Sequence, residues 1–211
     1  MKFYTLETLY LQTNNAFAII LFMDQSSYRE WLILSKGILF SPHRFWKQLD
    51  VEKQSINQVL SSFLLPWLGL TSMIVFIGFM VVHPHIQYFE ALKNTVVVFA
   101  RLFFAVYAAA WIFDKLNAAF GCFIAFHQAF AMVAFTLPVL CVESILSIFF
   151  PETFFVKAVL LYSIVLFYMG CTTVFNFRRL KALGFALLLF LTMLGVALSI
   201  SLLLPIVNQP L

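Results

Sequence analysis

Charge is scarce in this 211-residue chain, where Asp, Glu, Lys and Arg together supply only 10% of the residues. Soluble domains carry about a quarter. With 63% hydrophobic residues and a mean hydropathy of +0.98, the chain has more apolar surface than a soluble core of this size could hide. Cysteine is also sparse: Cys122, Cys141 and Cys171 stand in apolar stretches without zinc or C-x-x-C spacing, and read as small packing residues. A Gly-rich phosphate loop, an H-E-x-x-H and a G-x-S-x-G elbow are all missing, so no motif supports an enzyme, a cofactor or a bound metal. A net charge of +4 on so apolar a chain does not suggest nucleic acid. The partner that composition does imply is the lipid bilayer.

What the chain has is long uncharged runs. A membrane-crossing helix needs about 20 apolar residues for a hydrocarbon layer of about 30 Å, and five segments qualify: 59–82, 94–113, 118–142, 154–175 and 182–207. The expected fold is an all-α polytopic membrane protein with five transmembrane helices over 59–207. Its connections are short, which makes sequential helices antiparallel neighbours. Amphipathic interfacial helices precede them.

Residues 1–58 hold half of the charged residues and are not expected to cross. Their apolar residues recur at helical spacing, with Phe3, Leu6 and Tyr10 on one stripe and Trp31, Leu34 and Ile38 on another. Short helices on the membrane surface or against the bundle follow from that pattern. Ser41-Pro42 opens a further helix, with Pro suited to its first position and Ser to its cap. The apolar run 16–23 is short and is followed by Asp24, so no signal peptide is expected to be cleaved there. Ten of the thirteen Lys and Arg residues precede the first run or stand at Lys115, Arg178, Arg179 and Lys181, against Lys93 and Lys157 in the other connections. Because basic residues stay on the cytoplasmic side, the N-terminus is expected inside and the C-terminus outside.

The order of features resembles the Yip-domain family of small five-helix integral membrane proteins. Carrying the resemblance are Ser41-Pro42-His43-Arg44-Phe45, Ala129-Phe130 to Leu137-Pro138, Leu161-Tyr162-Ser163 to Tyr168-Met169-Gly170, and a basic turn before the last apolar helix. It covers about residues 36–207. Eukaryotic members are associated with Rab-class GTPases and traffic between endoplasmic reticulum and Golgi, while prokaryotic members largely lack an assigned function. The long acidic, polar arm of the eukaryotic type is missing here. The resemblance therefore implies a prokaryotic cytoplasmic (inner) membrane, with the ER/Golgi as the alternative, and a non-enzymatic role in organising membrane or binding a membrane or cytoplasmic protein partner.

Three polar residues in the apolar region are candidates for chemistry. Arg101 stands about two turns inside the second run, where a charge costs a few kcal/mol unless paired or snorkelling. It reads either as an anion contact or, more simply, as a structural Arg that pairs with Glu143 or reaches headgroups. His127 falls near the middle of the third run, where a packing hydrogen bond is favoured over a proton relay because no chain of acids and bases accompanies it. Glu143, five residues past Pro138, reads as a helix-end anchor. Together the three motivate the rival function, a small transporter or channel subunit. His83 and His85 flank Pro84 with Glu90 nearby, too few ligands for a metal site, and read as a polar turn. Gly121, Ala125 and Ala129 form a small-xxx-small stripe and Ala105 with Ala109 a shorter one, which suits close packing within one chain and leaves a homo-oligomer open.

Overall fold

A computed structural model describes residues 25–82, 88–117, 124–150 and 154–207, and every regular element among them is helical. In chain order these are α1 (Gln25–Phe40), α2 (Pro42–Gln48), a 3-10 turn (Val51–Lys53), α3 (Ile56–Val82), α4 (Tyr88–Asn117), α5 (Phe126–Phe149), α6 (Phe154–Thr173) and α7 (Arg179–Val207). The chain is an all-helical membrane protein. By length and composition α3, α4, α5 and the 179–196 part of α7 can each cross a membrane, and α6 contributes a shorter apolar stretch, Ala158–Thr173. The first stripe expected near the N-terminus, Phe3 to Tyr10, lies outside the described residues, as do His83 and His85.

Local chemistry sets the helix ends, and these do not coincide with the ends of the apolar runs. Ser55 starts α3 by accepting the Gln58 N–H on its hydroxyl at 3.2 Å, which places the start three residues before the apolar run. Within α3 a π-helical turn at Leu60–Leu64 directs Phe63 and Leu64 inward. Pro42 opens α2, but the Ser41 hydroxyl makes no cap bond; its carbonyl instead accepts the Phe45 N–H at 3.0 Å. At 30 residues α4 is about 45 Å long, so its polar first turns project beyond the apolar run. α5 begins only at Phe126 because Ala125 has extended backbone (ψ 152). The Gln128 side chain accepts the Ala125 N–H at 3.0 Å and fixes that start.

At the centre stands α5, buried on all sides from residue 129 to 141, as expected of a helix that is apolar all round. It packs against α1, α3, α4, α6 and the 3-10 turn, while α7 is held by α4 and α6. α3 and α6 do not touch each other among the described residues. The gap between them, over one face of α5, is filled by α1 and α2. Trp31 packs on Trp67 with ring centroids 5.3 Å apart and planes tilted by 50°, and the Trp67 indole N–H donates to Ser35 Oγ at 2.9 Å. The Tyr162 hydroxyl donates to the Leu39 carbonyl at 3.3 Å. Phe45 meets Phe135 edge-on at 5.4 Å, and Phe63 meets the same ring at 4.7 Å. Since Phe135 is nine residues into α5 and Tyr162 eleven from the end of α6, these contacts lie about 13 to 16 Å along the helices. Trp31 and Ile38 are buried there, so α1 is set into the flank of the bundle. Its outward face still carries Tyr28, Leu32, Ile33 and Phe40, an apolar surface suited to lipid.

Candidate functional site

One end of the bundle gathers α2, the 3-10 turn, the start of α5 and the α6–α7 turn, together with Arg44, Lys47, Lys53, Lys115, Arg178, Arg179 and Lys181. At this basic end a cleft of about 670 Å³ opens between α2 and the end of α6. Helical spacing explains its first wall. His43, Trp46 and Lys47 share one face of α2, with Trp46 turned into the bundle at 1% exposure and the two basic side chains exposed at the rim. The Trp46 ring lies against Gly170 and Met132: a Cβ on Gly170 would stand 3.3 Å from the indole and 3.2 Å from the Met132 methyl. Its indole N–H is buried and has no hydrogen-bond partner among the described residues.

Past α2 the chain turns through Asp50, Val51 and Glu52. Val51 is buried and anchors the turn, whereas Asp50 and Glu52 are exposed. Lys53 bonds Asp50 at 2.6 Å; this hydrogen bond lowers the Asp50 carboxyl from its ordinary value. The second wall is the end of α6, with Thr172, Thr173, Val174 and Phe175 leading to Asn176. Asn176 takes a left-handed backbone (φ 50), a conformation Asn tolerates better than most residues, and Phe177 N–H then returns to the Cys171 carbonyl at 3.2 Å. Gln128 lies at the back. The cleft thus presents both signs of charge, amide and hydroxyl groups, and aromatic surface in one concavity. A segment carrying charges of both signs could be read there by ion pairs and hydrogen bonds.

Of the residues singled out in the membrane region, the structure brings two together. The Arg101 Nη2 in α4 donates to Ser144 Oγ in α5 at 3.0 Å, and the Ser144 hydroxyl faces Glu143 Oε2 at 3.4 Å. No direct ion pair joins Arg101 and Glu143, and Ser144, itself buried, stands between them. Ser144 escaped the sequence reading. The available signal was a small hydroxyl beside a carboxylate on an apolar helix, a residue type that bonds across helices. His127 is elsewhere: it occupies the first turn of α5, half-buried, sixteen residues from Glu143 and so about 24 Å away along the axis. Gly121 lies outside the described residues; Ala125 is exposed in extended backbone, and Ala129 is fully buried. Ala105 and Ala109 on α4 are buried too, and Tyr107 packs on Phe130 at 5.0 Å where α4 meets α5. Among the described residues no group of three or more His, Cys, Asp or Glu side chains converges on a metal-sized site.

A family model for the Yip1 domain matches residues 36–200. No curated protein and no solved structure matches the chain.

Proposed function

The chain belongs to the Yip1-domain family of membrane proteins, and on that premise we propose that it works without catalysis, binding a protein partner or organising membrane through its basic end. The cleft between α2 and the end of α6 carries this reading, because it is where exposed side chains of both charge signs share one concavity. Arg101 donates to Ser144, which faces Glu143 in a helix contact, and His127 is too distant to extend them into a path. In this reading the basic end is cytoplasmic, α3 to α7 make five crossings and residues 1–58 stay on the inner side. A prokaryotic cytoplasmic membrane is the home that fits, with ER/Golgi as the alternative.

Site-specific photo-crosslinking in native membranes tests the proposal. A crosslinker at Asn176 should capture a protein that Lys47→Glu with Glu52→Lys releases, whereas one at Phe89 on the opposite end should not capture it. A reporter active only outside the cytoplasm should be silent after Lys53 and active after His85. Solute uptake by reconstituted protein that Arg101→Leu abolishes would replace this reading with a transporter.

A further inference from the structure

A second concavity, of about 520 Å³, lies between α4 and α7 on the outer flank of the bundle. Both helices are apolar enough to cross a membrane, so its surroundings are lipid. Ile112 and Leu116 of α4 face Leu188 of α7 across it, and the exposed Trp111 and Leu191 form its deeper rim. Thr192 is the one hydroxyl among the described residues of the wall, and it donates to the Leu188 carbonyl at 2.9 Å. Charge is confined to the other end. There Lys115 stands one helical turn nearer the basic face than Trp111, with its side chain 62% exposed. Asp114 approaches Lys115 at 3.4 Å and is mostly covered at 23% exposure, leaving donors of the three-proton ammonium without a partner among the described residues. Arg178 and Arg179 are exposed where α7 begins, about 14 Å along the axis from Leu188.

We propose that this groove is a binding site for one anionic glycerophospholipid of the basic-end leaflet, with an acyl chain between α4 and α7 and the phosphate on Lys115. The match is one of gradient: a trough that is apolar but for the Trp111 indole and the Thr192 hydroxyl, closed at a single end by a cation. Annular lipid would fill the trough whatever its headgroup. The lysine selects charge, since each basic residue at a membrane surface favours anionic lipid. A transmembrane helix of another protein would bury the trough equally well but would bring no phosphate to the ammonium donors that Asp114 leaves over at the headgroup level.

The test uses the full-length protein, equilibrated with vesicles of equal phosphatidylglycerol and phosphatidylcholine, extracted in mild detergent and weighed by native mass spectrometry. Wild type should retain one phosphatidylglycerol, preferred about fivefold over phosphatidylcholine, as expected for one lysine. Lys115→Gln should bring the preference near unity while a lipid is still retained, and Lys93→Gln at the opposite end should leave it unchanged. Leu188→Trp, which fills the trough, should lower retention of both lipids; if that variant does not fold, Leu191→Ser should lower it instead. Equal retention of the two lipids by wild type, or a preference that Lys115→Gln leaves intact, overturns the proposal. So does a dimer that the trough variants dissociate, which would assign the groove to a second copy.

Discussion

Two single-residue environments make opposite demands on substitution. Gly170 and Gly184 both sit in helices, yet a Cβ on Gly170 would press on the buried Trp46 ring and the Met132 methyl, while none of the described residues comes within 4 Å of one on Gly184. Methionine can yield, but the packed indole cannot. Gly170→Ala should therefore lower thermal stability in detergent by an amount in the overpacking range of about 1 to 3 kcal/mol, and Gly184→Ala should leave it unchanged or slightly raised. Similar melting for both variants would show that Trp46 is not wedged as described. The Arg101–Ser144 bond is a second residue-scale feature. Interhelical hydrogen bonds in membranes contribute about 0.6 kcal/mol on average, so Ser144→Ala and Arg101→Lys should each cost little and should couple in a double-mutant cycle. Glu143→Gln should couple to Arg101 more weakly, because the serine stands between them. Strict additivity of Ser144→Ala with Arg101→Lys would deny the bond any stabilising role. Arg101 and Glu143 could be picked out in advance because charge in an apolar run is conspicuous, whereas the serine that joins them was hidden by its ordinary type.

At the scale of elements, the inset position of α1 and α2 sets this bundle apart from a plain set of crossings. Ile38 is fully buried at their contact, and a glutamate there would bring an unpaired charge into an apolar interior. Ile38→Glu should free α1, so that trypsin cuts after Lys36 and Arg44 in vesicles exposing the basic end, while α3 to α7 stay protected. Unchanged protection would mean that α1 is held by something other than its Ile38 face. The stripe of Trp31, Leu34 and Ile38 was readable from spacing, since the same residues point one way on any helix. The surface receiving it was not, because Trp67, Phe135 and Tyr162 belong to three helices and meet only in space. The same limit applies to helix ends. Apolar runs report the thickness of the solvent, so α3, α4 and α7 were recognisable from composition, but the projecting first turns of α4 were not. His127 illustrates the consequence: the run 118–142 has no Asp, Glu, Lys or Arg, yet the extended backbone at Ala125 puts the histidine in a first turn. Gln128, whose side chain makes that cap, was the one local hint.

For the whole molecule, the way α1 and α2 fill the gap between α3 and α6 sets an order of events in time. The Leu39 carbonyl leaves the ribosome 123 positions before Tyr162, the residue whose hydroxyl it receives. At synthesis rates of about 5 to 20 residues per second, that interval is about 6 to 25 seconds. During most of it the first helices lack part of the surface they will cover, since α3 with Trp67 comes early but Phe135 and Gly170 are made late. They must wait at the membrane or in the hands of another protein. Chains arrested before α6 has emerged should therefore show α1 open to protease, and chains arrested after α7 should show it closed. Protection that is already complete in the shorter chains would mean that α3 and the interface alone can hold α1. The wait also exposes Trp31, Ile38 and Trp46 together, which makes the newborn chain most vulnerable to misassociation before its last two helices arrive.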